Sequence, residues 1–143
     1  MFYAYDIKQY EDDTYRILCN ELPELANTPF STEEKAYDKS YVTFLKVLEH
    51  DYRRQGRVIP IPPKEPTTDR VLDVDMITQC RIQLWNSMQA MDVTASWVSR
   101  RAGLSRQEIQ RVLDFTTYNV HAYKLEELAH CLGYSMDVIM FEP

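Results

Sequence analysis

Residues 94–112 read TASWVSRRAGLSRQEIQRV. This stretch decides the fold of the second half of the chain. Thr94 is a residue type that opens helices, because its side-chain oxygen accepts a backbone N–H that has no partner within the helix. Gly103 offers the left-handed backbone that a sharp turn needs. Leu104 supplies the apolar plug of that turn, and Ser105 a second cap. Ser99 is small where two helices must cross. Ile109 and Val112 recur at helical spacing and predict an inward face. The pattern predicts a helix-turn-helix with Arg106, Gln107, Gln110 and Arg111 on the outward face of its second helix. Gln pairs bidentately with adenine and Arg with guanine in the major groove. A solvated face of an ordinary bundle also shows Arg and Gln, but the whole spaced pattern favours DNA. Thr94, Ser105 and Thr116 complete the candidate DNA-binding set, Thr94 and Thr116 towards phosphates, which position without specifying.

Working outward, Met76–Met91 carries Ile77, Cys80, Leu84, Trp85 and Met88 at helical spacing. A further helix is expected from Ala122 to Leu132, with Leu125, Leu128, Ala129 and Leu132 inward and Gly133 at its end. A short last helix is expected over Met136–Met140. Residues 71–143 thus read as an all-α helix-turn-helix domain. Upstream, PIPPKEPTTD at 60–69 holds four of the seven prolines. A stiff extended linker is expected there, at 61–70. Val71–Val74 reads as a short strand that would pair with its copy in another subunit.

Residues 1–60 read as an α+β domain. Tyr3, Tyr5 and Ile7 alternate with Ala4, Asp6 and Lys8. Tyr15, Ile17 and Cys19 alternate with Thr14, Arg16 and Leu18. Glu11, Asp12 and Asp13 lie between, so the pair predicts a β-hairpin. Pro23 and Pro29 bound an extended piece around Leu25–Thr28. Ser31 and Glu34 have capping-box spacing. Tyr37, Tyr41, Phe44, Leu45, Leu48 and Tyr52 predict one apolar helix face, with Glu49 and Arg53 paired on the polar side and Gly56 as the stop. Val58 and Ile59 predict one more strand. The domain is then a small antiparallel sheet with one helix across it.

The net charge of -6 is unevenly spread. Residues 1–50 hold five basic side chains against ten acidic ones, while residues 94–113 hold Arg100, Arg101, Arg106 and Arg111 against Glu108. An acidic front and a locally basic back suit two different partners. Cys19, Cys80 and Cys131 form no metal or redox motif and read as small apolar residues. The absence of a signal-peptide pattern and of a long apolar run points to the cytoplasm.

Nuclease chemistry would need carboxylates converging on metal ions. The candidates Asp6, Asp12, Asp13, Glu21 and Asp38 are scattered over turns, a loop and a polar helix face. His50, His121 and His130 sit in no nucleophile pattern. The expectation is therefore no enzyme, no cofactor and no metal.

Taken together, the residues resemble a known family. The back half is similar to the Cro/CI-like helix-turn-helix proteins. The whole chain resembles the HicB antitoxins, carried by FYAYDIKQYEDDTYRILCNELPELANTPFSTEEKAYDKS, the exit VIPIPP, and QEIQRVLD followed by a Leu-rich helix ending in Leu-Gly. The resemblance implies a partial ribonuclease-H-like front fold without catalysis that blocks a HicA-type toxin, a small basic mRNA-cleaving ribonuclease. It also implies a back domain that represses the operon, and assembly as a homodimer or tetramer. Asp12, Asp13, Glu21 and Glu24 are the candidate toxin-binding residues, as an acidic surface for a basic partner. A competing reading is a stand-alone helix-turn-helix transcription regulator whose front domain senses a ligand in an apolar pocket.

Overall fold

The structure, a computed structural model, describes residues 1–136. The chain forms two compact units, Met1–Gln79 and Cys80–Pro143. The first is α+β and the second helical.

The first unit opens with two strands cut from one extended segment, β1 (Phe2–Ala4) and β2 (Asp6–Gln9). β2 pairs antiparallel with β3 (Tyr15–Leu18) in the register Ile7 to Ile17, which is the expected hairpin. Its turn places Asp13 at a φ of 62°. Asp tolerates this left-handed backbone better than most residues. β1 turns to a different partner, β4 (Val71–Asp73), with Tyr3 opposite Leu72. There are thus two two-stranded sheets rather than one, and β4 pairs with β1 of its own chain. The proline-rich segment is drawn into the same unit. Tyr3 donates its hydroxyl to the Pro60 carbonyl at 2.7 Å, and the Tyr5 N–H donates to Arg70 O at 3.0 Å.

Several local expectations shift. Pro23–Asn27 is a 3-10 helix, not an extended piece, because Pro23 fixes the φ of a first helical position. The main helix is broken into α1 (Glu33–Asp38) and α2 (Ser40–Val47). Its cap is Thr32, which accepts from Lys35 N at 3.1 Å, and not Ser31. α2 runs into a π-helical turn at Leu48–Arg53. The wider turn advances the side chains around the axis, so the phase of the apolar face changes. Phe44, Leu45, Leu48 and Tyr52 stay in the core and Glu49 is fully buried, while Tyr41 is half-buried and Tyr37, in α1 ahead of the break, is 55 % exposed. Glu49 accepts from Arg53 Nη2 at 2.6 Å and from Arg54 Nε at 2.9 Å, so it is a buried ion pair and not a surface one. Val58 and Ile59 form no strand; Ile59 packs into the core as loop.

The second unit contains most of α3 (Met76–Met91), then α4 (Ala95–Ala102), α5 (Arg106–Leu113) and α6 (Ala122–Cys131). Ile82, Met88, Val98, Ile109, Val112, Phe115, Leu125 and Leu128 make its core. Ile82 and the buried Arg81, which donates Nε–H to Val112 O at 2.7 Å, lie outside the inward set read from the sequence. Cys80 and Cys131 are half-buried rather than enclosed. The helix expected from Met136 lies outside the described residues from 137 onward. No helix among the described residues is long and apolar enough to cross a membrane.

Candidate functional site

In the second unit α4 and α5 pack against each other across the turn Gly103–Ser105. Gly103 takes a φ of 68°, so this turn requires a residue that accepts the left-handed region. Ser99 is indeed at the crossing. Its hydroxyl donates to Leu104 O at 2.5 Å and ties the first helix to the turn. Each helix is capped as its sequence predicts. Thr94 Oγ1 accepts from Trp97 N at 3.1 Å, and Ser105 Oγ from Glu108 N at 3.1 Å.

The capping box expected at Ser31 and Glu34 is found instead at Ser105 and Glu108. Hydrogen bonds from the Ser105 hydroxyl and then its backbone N–H hold the Glu108 carboxyl below the usual carboxylate range. Lys124 adds to this from 3.4 Å. The one acid of the 94–113 stretch is thus directed to a cap and a lysine.

Arg106, Gln107, Gln110 and Arg111 all lie exposed on α5. None of the described carboxylates forms an ion pair with Arg106 or Arg111. Thr94 and Ser105, also exposed, stand at the N-termini of α4 and α5. Thr116 is half-buried and its hydroxyl donates to Asp114 Oδ1 at 2.7 Å. A cavity of about 400 Å³ opens at the end of α5, lined by Arg111, Thr117, Asn119, His121 and Lys124 among others. Sequence reasoning missed this group, because its members come from α5, a loop and α6 and share no spacing.

In the first unit the four acidic candidates divide. Asp12 and Asp13 are exposed in the hairpin turn. Hydrogen bonds from the Thr14 hydroxyl and N–H, with Arg16 at 3.3 Å, lower the Asp12 pKa. Glu21 is half-buried and accepts from the Cys19 thiol at 3.5 Å, a thiol that burial pushes up to about 11. Glu24 is held inside the unit. It accepts from Tyr52 OH at 2.6 Å and from Arg57 Nη2 at 3.0 Å. Burial raises its pKa, but these bonds outweigh that and the net shift is downward. Asp12, Asp13, Glu21 and Glu24 therefore form no single uncommitted patch. Among the described residues no three His, Cys, Asp or Glu side chains gather as metal ligands.

Against known proteins, the chain is similar to the protein named Antitoxin HicB from Pseudomonas fluorescens (strain Pf0-1). The two are 27 % identical over 131 residues, which is 91 % of this chain and 85 % of the relative. The matched length takes in both compact units and supports the HicB resemblance read from the sequence. No family model matches the chain.

Proposed function

From its kinship with a HicB antitoxin, we propose that this chain neutralises a HicA-type toxin through its front unit and represses its own operon through α4 and α5. The observation that carries the DNA half is the exposed face of α5. Four side chains suited to base edges follow a tight, capped turn, and the acid nearest to them is engaged elsewhere. The cavity at the end of α5 adds Arg111, Thr117 and Asn119, which suit a backbone phosphate, beside the Glu108–Lys124 pair. The antitoxin half rests on the similarity along both units and on the acidic balance of the front. The exposed Asp12 and Asp13 supply rim charge for a basic partner, with Glu21 and Glu24 as flanking acids.

A homodimer would present two copies of α5 to half-sites about 34–36 Å apart or a multiple of it, so the operator should be an inverted repeat. The test is a titration of the full chain on its own promoter at several salt concentrations. Gln107→Ala and Arg111→Ala should each cost about 1–3 kcal/mol and relax sequence preference. If the double variant keeps both affinity and preference, α5 is not the reading helix. The toxin half is tested by whether the chain co-purifies with a small basic protein encoded beside it. Failure of the wild-type chain to hold it overturns that half.

A further inference from the structure

The first unit carries an open cleft of about 630 Å³ that the reading above does not use. Its lining includes Tyr37 and Tyr41, the buried Tyr5, the cation Arg70, and Asp38, Asp69 and Asp73. We infer that this cleft is the anchor point for an arginine side chain of a basic protein partner. The inference rests on the proposed antitoxin reading and gives it a specific contact surface.

Three observations carry it. The first is that the cleft already shows how it treats a guanidinium. Arg70, on its wall, places its guanidinium carbon 5.6 Å from the Tyr37 ring centroid and 6.0 Å from that of Tyr5. Ring faces within about 6 Å attract a cation through the aromatic quadrupole. The second is charge. Arg70 is itself paired with Glu33 at 3.5 Å, and it is the one cation of the lining against three carboxylates. Asp38, Asp69 and Asp73 are exposed, and none has a side-chain hydrogen bond or ion pair among the described residues. The lining thus keeps three carboxylates whose attraction is not spent within the unit, unlike Asp12 and Glu24. The third is the exposed Tyr37, 55 % accessible on a helix face whose other aromatics are half-buried, Tyr41, or buried, Phe44 and Tyr52. Tyr is enriched among the residues that dominate interface energetics. Arginine fits such a site better than lysine, because its flat guanidinium stacks on a ring while bridging a carboxylate.

The experiment uses the full-length, isotope-labelled chain and two probes, a hexa-arginine and a hexa-lysine peptide, followed by amide chemical shifts. The expected result is that hexa-arginine shifts Tyr37, Asp38, Tyr41 and Asp73 and binds several-fold tighter than hexa-lysine. Asp38→Asn with Asp73→Asn should weaken it about tenfold. Tyr37→Ala, at an exposed position that leaves the core intact, should remove the preference for arginine. Shifts centred on Asp12 and Asp13, equal binding of the two peptides, or affinity unchanged in both variants would overturn the inference. The toxin pull-down separates the two readings. A wild-type chain that holds toxin, together with a double variant that holds it equally well, sinks the cleft and spares the antitoxin role. A chain that maps hexa-arginine to the cleft but holds no toxin does the opposite.

Discussion

The front unit buries tyrosine rings whose hydroxyls tie distant residues together, whereas the back unit is closed mainly by apolar packing, by one buried arginine and by caps that reach three residues along the chain. Tyr3 bonds Pro60, Tyr52 bonds Glu24, and Tyr41 bonds Asp75, pairs 57, 28 and 34 residues apart. Thr94 and Ser105 bond Trp97 N and Glu108 N, each only three residues on. Two-stranded sheets are too small to be stable alone. The long-range polar ties supply what the sheets lack. The back unit needs fewer of them, since short helices bring their own backbone bonds and ask only for caps and a shared core. Each unit should therefore fail under a different challenge.

Alkali gives the largest separation. Burial is the first cause that raises all three tyrosine hydroxyls, with Glu24 or Asp75 reinforcing it at Tyr52 and Tyr41; Tyr41 is pushed up to about 12, and Tyr3 and Tyr52 higher. A group whose folded pKa is raised stabilises the fold fully below its unfolded value, here 10.0, and loses that contribution as the pH climbs through the folded value. The front unit is thus expected to lose structure between pH 10 and 12 while the back unit holds. The chain supplies its own reporters, since both tryptophans, Trp85 and Trp97, belong to the back unit. Far-ultraviolet dichroism should fall before tryptophan emission shifts. Simultaneous changes, or emission shifting first, would break the contrast.

Next in size is Glu49. Removing one partner of a buried ion pair leaves an uncompensated charge and costs about 3–5 kcal/mol. Glu49→Ala should destabilise the front unit by an amount at the lower end of that range, because Arg54 is half exposed and can turn to water. The buried arginine of the back unit sharpens the comparison. Arg81→Met keeps the stem and loses the bond to Val112 O, so about 1–2 kcal/mol is expected. Urea denaturation read by tyrosine and tryptophan signals separately would rank the two. A costlier Arg81→Met would reverse the argument.

The same contrast explains what could be read in advance. In the back unit Thr94, Gly103, Ser105, Ile109 and Val112 declare their roles within a single turn of helix, and the structure places them accordingly. The hairpin β2–β3 was legible for the same reason, since its partners flank one acidic turn. What was not legible depends on partners far away. Val71–Asp73 finds β1 because Tyr3, Tyr5 and the loop at Pro60 make a binding edge that no local pattern announces. Glu49 reads as a surface residue by its charge, although it stands four residues after Leu45 and three before Tyr52, at the edge of the apolar face that is buried. Of the candidate site, the α5 side chains follow from helical spacing. The cleft of Tyr37, Asp38 and Asp73 and the cavity of Arg111, Asn119 and Lys124 arise from separate elements.

The smallest effect concerns the caps themselves. Thr32 and Ser105 both accept a backbone N–H three residues on, at 3.1 Å in each case. Loss of either hydroxyl should cost about 1 kcal/mol. They differ in what stands behind the bond. At Ser105 the arrangement is reciprocal, because the Ser105 hydroxyl and N–H are the first two causes that depress the Glu108 pKa, ahead of Lys124. At Thr32 the residue three positions on is Lys35, which cannot return the bond as a carboxylate would. Ser105→Ala should therefore do two things where Thr32→Ala does one. It should lower thermal stability, and it should let the Glu108 titration rise towards its ordinary value of 4.5, with Lys124 holding back only the remainder. A carboxyl-carbon titration of Glu108 in the two variants measures this directly. If Glu108 titrates unchanged in Ser105→Ala, Lys124 governs it, and the start of α5 is held by an ion pair across to α6 rather than by its own cap.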